Sequence, residues 1–532
     1  MNSNEPLFLR NATVFDGAKT LVEPASLLLE DGRIQAVGPD ADLSARAKAA
    51  GARTHDCAGA FVMPGITDAH IHVSSLGAAL ERVDLAECAS AEACAALLAE
   101  RAAQTPPGEW IQARGWRKSI WACEAFPTAS ILDAAVPDHP VYCRSLCGHS
   151  GWANSLAMKL AEVTASTPEV AGGEITRNPD GTPTGIFKET AMGLIGKVVP
   201  VPDAQERKRW LLQTLKHANE LGITGVHDMS GFDDFTLAAE CAKAGELTVR
   251  YGGAARPNQV EQGAAAYRET DPTALARLLG TKMFIDGALN SQTAAMLEPY
   301  VDEHGADTEN LGILTQEYAE LRDRVAESNG AGLPVLVHAI GDKGIRWVLN
   351  AIEEAGDTAL CNRIEHASVL ADGDLQRMAR LRVHASVQPS HVITDIPTCD
   401  RHLGPARCAR TSVFKDMANA GVNMAFGSDA PVVSADPRDN FFAAVLRTEL
   451  NGNPEGGWYP AQLLSLEQTL SCCCLGPSRS TGAEKVQGRV APGFCADLTV
   501  FAENPFDRDP AELRTLPLLM TIVDGRVVHQ SA

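Results

Sequence analysis

Two patterns of apolar and polar positions occur along the chain, one at its ends and another in its middle. Residues 7–15 and 26–38 read as short strands, and the second stretch contains the hairpin signal Glu30-Asp31-Gly32. The C-terminus repeats this pattern with a strand over 496–501 and a hairpin over 519–529. These ends predict one small β domain built from both termini, and two unrelated edge hairpins are the alternative.

From residue 61 onward, apolar strands alternate with longer helical stretches, which is typical of a parallel sheet with helices outside it. Helices are predicted over 89–104, 204–221 and 235–245. Candidate strands are 139–143, 222–228, 249–254, 281–285, 334–338, 362–366, 383–388 and 422–426. Polar residues follow many of these strands, as expected of the active face of a (β/α)8 barrel. The predicted domains are therefore 1–60 and 485–532 for the β domain and 61–484 for the barrel.

Composition narrows the function classes. The 532 residues are 45% hydrophobic and 21% charged, which suits a large buried core. A formal net charge of −21 argues against nucleic acid or an anionic membrane as a partner. Neither a secretory signal nor an uninterrupted apolar stretch of membrane-spanning length is apparent, so we expect a soluble, cytoplasmic protein. The 14 cysteines are scattered, and we interpret them as reduced, mostly buried residues.

The stretch 61–72 carries the first candidate chemistry, because it is an apolar run that ends in His70-Ile71-His72. Side chains alternate along a strand, so both imidazoles point to one face and suit a single metal ion. An isolated His-x-His pair is more often structural. Asp68 just before the pair, and later histidines at the ends of apolar runs, favour the metal site.

The spacing of these later residues fits a barrel. His338 and His366 lie about one βα unit apart, and Asp429 follows about two units later. Each ends an apolar run, so the three would come from the fifth, sixth and eighth strands. A lone histidine would more often be a hydrogen-bonded core residue, but a set of histidines and an aspartate at strand ends predicts a metal centre.

Further motifs occur in order over nearly the whole chain. They are Pro64-Gly65-Ile66-Thr67-Asp68-Ala69-His70-Ile71-His72, Gly148-His149-Ser150, Pro183-Thr184-Gly185-Ile186-Phe187-Lys188-Glu189, Lys282-Met283-Phe284-Ile285-Asp286-Gly287, His338-Ala339-Ile340-Gly341-Asp342, Arg363-Ile364-Glu365-His366, Gln388-Pro389-Ser390-His391 and Gly427-Ser428-Asp429-Ala430-Pro431-Val432. With these residues the sequence resembles the amidohydrolase superfamily, in the branch typified by N-substituted formamide deformylase.

The resemblance implies an α/β fold, a distorted TIM (β/α)8 barrel with a small β-sandwich domain formed by both termini. It also implies two divalent metal ions, with zinc expected. His70, His72 and Asp429 would hold one ion, His338 and His366 the other, and a carboxylated lysine would bridge them. Lys188 and Lys282 both lie in family-like motifs. We choose Lys282, because it lies near the predicted fourth strand, between the strand ending in His227-Asp228, taken as the third, and the His338 strand.

The expected function is a metal-dependent hydrolase that cleaves an amide or formamide-like C–N bond of a small molecule with a metal-bridged hydroxide. Asp429 would transfer the proton to the leaving nitrogen. The residues that could orient the carbonyl are His149, His227 and His391, and Glu189 could serve as a lid residue. The alternatives are a deaminase, an ester or lactone hydrolase, or a catalytically silent binding relative. The substrate, the native metal and a homo-oligomeric state stay open.

Overall fold

The computed structural model describes residues 5–20, 24–122, 125–145, 148, 150–170, 172–269, 271–302 and 304–531. Their contacts divide the chain into two compact units. The first unit comprises Met1–Ser75 and Leu211–Ala532, and the second comprises Leu76–Trp210.

Eight parallel strands form a barrel in the first unit. In sheet order they are Ile66–Ile71, Ile223–Asp228, Arg250–Ala255, Ala276–Phe284, Val335–Ala339, Arg363–His366, His384–Val387 and Met424–Phe426. The first strand also receives hydrogen bonds from the segment that follows the eighth: the Asp429 amide donates to the His70 carbonyl at 2.7 Å. The sheet is therefore nearly closed, and the predicted distorted TIM barrel is confirmed.

Helices follow the barrel strands and bury one apolar side each. The helix Asp342–Ala355 buries Ile345, Val348, Leu349 and Ile352, which recur at the spacing of one helical face. The helices predicted over 204–221 and 235–245 are observed as Ala204–Glu220 and Phe232–Lys243. The other α-helices of the first unit are Asp40–Ala49, Val260–Glu269, Tyr318–Gly330, Asp374–Leu381, Pro389–His402, Pro405–Cys408, Phe414–Asn419, Pro437–Leu446 and Leu466–Arg479, with 3₁₀ turns at Pro257–Gln259, Pro460–Gln462, Pro505–Asp507 and Pro510–Thr515.

The β domain contains strands from both ends of the chain. They are Leu7–Val14, Ala25–Glu30, Arg33–Gly38, Arg53–Asp56, Phe61–Pro64, Leu498–Phe501, Leu518–Val523 and Arg526–Gln530. Phe61–Pro64 connects the two ends, because it pairs in parallel with Leu7–Val14 and antiparallel with Leu498–Phe501. The termini thus share hydrogen-bonded strands, as the sequence predicted. The domain boundaries at residues 60 and 484 stay a prediction, and the first barrel strand begins at Ile66.

The two hairpin turns of the β domain meet each other. Asp31 and Gly32 have φ of 51° and 71°, and Asp524 and Gly525 have φ of 52° and 74°, as a two-residue turn with left-handed residues requires. Ala496 links them: its amide donates to the Gly32 carbonyl at 2.8 Å, and its carbonyl accepts from the Gly525 amide at 2.9 Å. The similar turns at opposite ends of the sequence therefore lie side by side.

The second unit holds a separate six-stranded sheet. In sheet order its strands are Gly173–Arg177, Pro183–Glu189, Ser150–Ala153, Val141–Ser145, Ile111–Trp116 and Val83–Asp84. Its helices are Ala91–Ala102, Ala129–Ala135, Ser155–Leu160 and Met192–Gly196, with a 3₁₀ turn at Lys118–Ile120; Val73–Glu81 begins in the first unit and ends here. The helix predicted over 89–104 is observed as Ala91–Ala102, where the Ser90 side chain accepts from the Ala93 amide.

This sheet corrects one part of the predicted strand order. The strand expected near 139–143 is Val141–Ser145 of the second unit and not a barrel strand. The strand ending in His227-Asp228 is consequently the second barrel strand and not the third. The sequence misled because the second unit also contains parallel strands separated by helices, which have the same pattern as the barrel. Within the described part of the chain, no helix is both long and apolar enough to cross a membrane.

Candidate metal centre

The residues predicted to bind metal lie at one rim of the barrel. His70 lies in the first strand, Lys282 in the fourth, His338 in the fifth and His366 in the sixth. Asp429 follows the eighth strand. Parallel strands present their carboxyl ends at the same edge, so residues far apart in the sequence come together here.

His70, His72 and Asp429 form a first group of ligand atoms, all within 4.8 Å of one another. Asp429 Oδ1 lies 3.5 Å from His70 Nε2 and 3.2 Å from His72 Nε2. Two imidazole nitrogens and one carboxylate oxygen are a donor set that suits a divalent ion such as zinc. The structure therefore brings together the three residues that the sequence assigned to one ion.

A second group shares Asp429 and contains His366 and His391, again with ligand atoms within 4.8 Å. His391 Nε2 lies 3.9 Å from Asp429 Oδ2. His338, predicted to bind the second ion with His366, is not in this group, although its ring centroid lies 4.5 Å from that of His366. His391 was expected to orient the substrate, and the structure places it among the candidate ligands.

Hydrogen bonds select which nitrogen of each histidine is free. His70 Nδ1 lies 2.7 Å from Glu365 Oε2, and His366 Nδ1 lies 2.8 Å from Gln388 Oε1. His338 Nε2 lies 3.0 Å from the Gly287 carbonyl oxygen. Since these oxygens accept, each contacting nitrogen donates, which leaves the lone pair on Nε2 of His70 and His366 and on Nδ1 of His338.

Burial keeps these imidazoles neutral. Together with the charge of Lys282, it lowers the pKa of His70 to about 4 and that of His338 to about 3. The pKa of His366 is also well below its usual value for the same first reason, with His338 and His70 adding to it. Metal binding requires unprotonated imidazole, so the histidines are ready as ligands near neutral pH.

Asp429 stays ionised. Burial by itself would raise the pKa of this carboxyl, but the hydrogen bond from His72 favours the ionised form, and the pKa lies well below its usual range. The residue has a φ of 63°, and His366 has a φ of 73°. Left-handed backbone is uncommon for residues other than glycine and concentrates at functional sites.

The segment that carries Asp429 is fixed by Asp68. The Asp68 carboxylate accepts from the Ser428 amide at 2.9 Å, from the Ser428 hydroxyl and from the His70 amide at 3.1 Å. Gly427 is required beside it, because a Cβ atom there would lie 2.4 Å from the His70 nitrogen. These contacts set the Asp429 carboxylate against the histidine pair.

The surroundings of Lys282 show whether a carboxylated lysine between two metal ions would fit here. Only 1% of the residue is exposed, and among the described residues its Nζ has no hydrogen-bond partner. Burial lowers the pKa of Lys282 to about 8, although Glu365 and Asp429 act in the opposite direction. A buried amine without a partner is costly and therefore rare. Carboxylation would give this amine two ligand oxygens, so the surroundings of Lys282 fit the predicted role.

His227 lies away from this cluster, inside the barrel. Its Nδ1 accepts from Arg363 Nη1 at 3.0 Å. Arg363 is itself buried and pairs with Glu365, with Nε 2.9 Å from Oε1. A chain of side chains thus connects His227 through Arg363 and Glu365 to His70, and the predicted contact of His227 with substrate is not what this geometry favours.

Glu365 and Gln388 are the functional candidates that the sequence reasoning missed. Both lie in motifs quoted for the resemblance, directly beside a histidine or at the end of a strand. The available signal was the alternation Arg363-Ile364-Glu365, which places two charged side chains on one face of a buried strand. A buried pair of opposite charges at such positions indicates residues that position the side chains of a nearby functional site.

Two other candidates, Lys188 and Glu189, belong to the second unit. Lys188 is in the second unit, on strand Pro183–Glu189, where its Nζ lies 3.0 Å from both carboxylate oxygens of Glu174. Glu189 ends the same strand with a φ of 50°. His149 lies outside the described residues, and its predicted role stays a prediction.

Comparison with known proteins agrees with this arrangement. The model of the amidohydrolase family matches residues 53–529. YtcJ of Bacillus subtilis is 29% identical over 520 residues, which cover 95% of this chain and 96% of that protein. N-substituted formamide deformylase of Arthrobacter pascens is 28% identical over 532 residues, which cover 94% of each chain.

A solved structure extends the comparison to three dimensions. The crystal structure of an uncharacterized metal-dependent hydrolase from Pyrococcus horikoshii is 26% identical, with a TM-score of 0.79 over 95% of this chain and 99% of that chain. These matches support metal-dependent hydrolysis of a small-molecule substrate. With a family match over most of its length and histidines, a lysine and an aspartate at one rim of its barrel, the chain belongs to the amidohydrolase family.

Proposed function

We propose that this amidohydrolase hydrolyses a carbon–nitrogen bond, amide or formamide-like, of a small molecule with the help of two divalent metal ions. The observation that carries the proposal is the buried Lys282 amine, which has no hydrogen-bond partner among the described residues and lies at the rim that holds the histidines and Asp429. The Lys282 Nζ lies 4.6 Å from the centroid of the Phe284 ring, a contact that needs no metal, and a carboxylated lysine would in addition join two metal ions.

The chain offers enough ligands for such a pair. His70, His72 and Asp429 would hold one ion, and His338 and His366 the other, with carboxylated Lys282 between them. His391 is an additional donor on the side of His366. When bound, divalent ions of this kind lower the pKa of a water molecule from 15.7 to about 7 and polarise a carbonyl group.

The side chains supply proton transfer. Asp429 stays ionised and can take the proton of the attacking water, and it can then give that proton to the leaving nitrogen. This second transfer matters for a C–N bond because an amide nitrogen leaves poorly unless it is protonated. His391 Nε2 lies 3.9 Å from Asp429 Oδ2 and has no hydrogen-bond partner among the described residues, so it is available to orient the carbonyl of the substrate.

The relatives favour C–N cleavage over the alternatives. N-substituted formamide deformylase of Arthrobacter pascens covers nearly the whole chain, and its name describes removal of a formyl group from nitrogen. Hydrolysis of an ester or a lactone, or deamination of a ring, could be catalysed with the same metal ligands. The substrate class is therefore decided by a screen in which N-formyl and N-acyl amines are compared with esters of the same acyl group.

The metal pair is tested with a matched pair of lysine variants. Lys282→Ala should lose metal and activity, with partial rescue by a short carboxylic acid that occupies the bridge. Lys188→Ala should retain metal, because Lys188 is paired with Glu174 in the second unit. Elemental analysis of wild type should give close to two ions per chain. The assignment of Lys282 as the bridging lysine would be contradicted if Lys188→Ala lost its metal while Lys282→Ala kept the metal content and activity of wild type.

A further inference from the structure

The second unit presents a cluster of arginines on one face of its sheet, which we call the arginine face: Arg82, Arg114 and Arg144. Strands Ile111–Trp116 and Val141–Ser145 are parallel, and their register places Arg114 opposite Arg144. The alternate residues on these strands, such as Ala113 and Cys143, lie in the apolar core on the other side. Arg114 and Arg144 therefore lie on the opposite side of the sheet from this core, and Arg82 lines the same cavity as Arg144.

Their positive charge is poorly balanced. Burial lowers the pKa of Arg82, and the charges of Arg144 and Arg114 lower it as well. Arg114 Nη2 lies 3.6 Å from Asp84 Oδ2, but its buried Nε has no hydrogen-bond partner among the described residues. Three guanidinium groups thus face one carboxylate. In a chain with a net charge of −21, such an excess of positive charge calls for a ligand.

The nearby carboxylates are otherwise engaged. Asp84 Oδ1 accepts from the Ala86 amide at 2.9 Å, which turns that oxygen away from the arginines. Glu81, the residue before Arg82, is bound by Arg209 and by Trp210 Nε1 at 2.6 Å. The arginine face is consequently left with about two positive charges in excess, which matches the charge of a phosphate monoester.

A cavity of about 330 Å³ lies at the arginine face, which is room for a small organic group. It is lined by Arg82 and Arg144, by the polar side chains of Gln112 and Tyr142, and by apolar Met192 and Val199. Tyr142 is itself held by a hydrogen bond from its hydroxyl to the Met192 carbonyl, at 3.4 Å. One side of the cavity is therefore cationic and the other apolar.

We propose that the arginine face binds a small organic phosphate, whose dianionic head contacts Arg82 and Arg144, with Arg114 adding positive charge beside them, and whose apolar part lies against Met192 and Val199. Guanidinium groups match phosphate oxygens in paired hydrogen bonds, which a lysine cannot provide in the same way. This site is built from residues of the second unit alone and is separate from the residues of the metal centre.

The test is titration calorimetry of the full-length, metal-loaded protein with phenyl phosphate, inorganic phosphate and phenol. Phenyl phosphate should bind more tightly than inorganic phosphate, because only the ester reaches the apolar lining. Arg144→Gln and Arg82→Gln should each weaken binding at least about tenfold. Arg144 is exposed, so its variant should fold normally, and Arg101→Gln, which removes another exposed arginine of this unit, should leave binding unchanged.

The metal centre is the competing location for a phosphate, and the variants separate the two. Binding that is unchanged in Arg144→Gln, or that disappears when a chelator removes the metal, would place the phosphate at the metal centre and overturn the proposal. Absence of binding by wild type at millimolar phenyl phosphate would overturn it as well. Weakening by added salt in wild type, with little salt dependence left in Arg144→Gln, would support it.

Discussion

Replacing Lys282 with methionine should stabilise the metal-free protein while abolishing metal binding. Methionine has a similar length and no charge, so it fills the same space. In wild type, burial lowers the pKa of Lys282 from 10.5 to about 8, and its Nζ has no hydrogen-bond partner among the described residues. The protein therefore carries a destabilising amine, which the proposed metal centre would require, and the substitution removes it.

The magnitude follows from the pKa. A tenfold change in proton affinity corresponds to about 1.4 kcal/mol, so the change from 10.5 to about 8 costs about 3 kcal/mol at pH 7. Because the folded-state pKa is the lower one, the cost is fully present below it and disappears as the pH rises through the unfolded-state value. At pH 9.5 the advantage of the variant should have fallen to about 1 kcal/mol.

Urea unfolding of chelator-treated protein measures this difference. Wild type and Lys282→Met are compared at pH 7 and pH 9.5 without bicarbonate, and elemental analysis of reloaded samples reports the loss of metal. Lys216→Met is the matched control, because the Lys216 side chain is 80% exposed and its change should stay within about 0.5 kcal/mol. A Lys282→Met variant that is less stable than wild type at pH 7, or an advantage that grows with pH, would refute the reasoning.

Three further substitutions or deletions give distinct outcomes. Asp429→Asn should keep part of the metal through the histidines but lower turnover by about 10² to 10⁴, and equal turnover in a steady-state assay would remove its acid–base role. Glu365→Gln should weaken metal binding by about 10- to 100-fold and lower the free energy of unfolding by about 3 kcal/mol, because it leaves Arg363 buried without its carboxylate. Chelator competition measures the metal affinity, and urea unfolding measures the stability. An unchanged metal affinity would contradict the role given to Glu365. Deleting residues 487–532 should give an insoluble chain, since it exposes the edge of Phe61–Pro64 that pairs with Leu498–Phe501; a soluble, active truncation would contradict the shared β domain.

The barrel and the rim residues could be predicted because their signal is local. His70 and His72 end an apolar strand, and His338, His366 and Asp429 recur at the spacing of βα units. Such spacing reflects the combined length of one strand, one helix and two loops, and this length can be counted in the sequence. Lys282 was assigned to the fourth strand although the His227 strand was counted as the third; the assignment holds because Arg250–Ala255 is the third strand, and Lys282 lies near the end of Ala276–Phe284.

Other parts depend on contacts that no local pattern encodes. The second unit interrupts the barrel between its first and second strands, and its own alternation of strand and helix hides that boundary. The partners of the histidines were missed because Glu365, Gln388 and the Gly287 carbonyl reach them across the sheet. Likewise, only the fold shows that Arg363 lies between His227 and Glu365.

The strand pairing between the two ends of the chain also governs when the protein can fold during synthesis. Phe61–Pro64 needs Leu498–Phe501, which emerges from the ribosome only after about 430 further residues. At 5–20 residues per second this delay lasts about 20 to 90 s. During that time the apolar side chains of the N-terminal strands lack the C-terminal part of their core. Synthesis of this amidohydrolase should therefore depend on chaperones that protect the nascent N-terminus until the last strands are made.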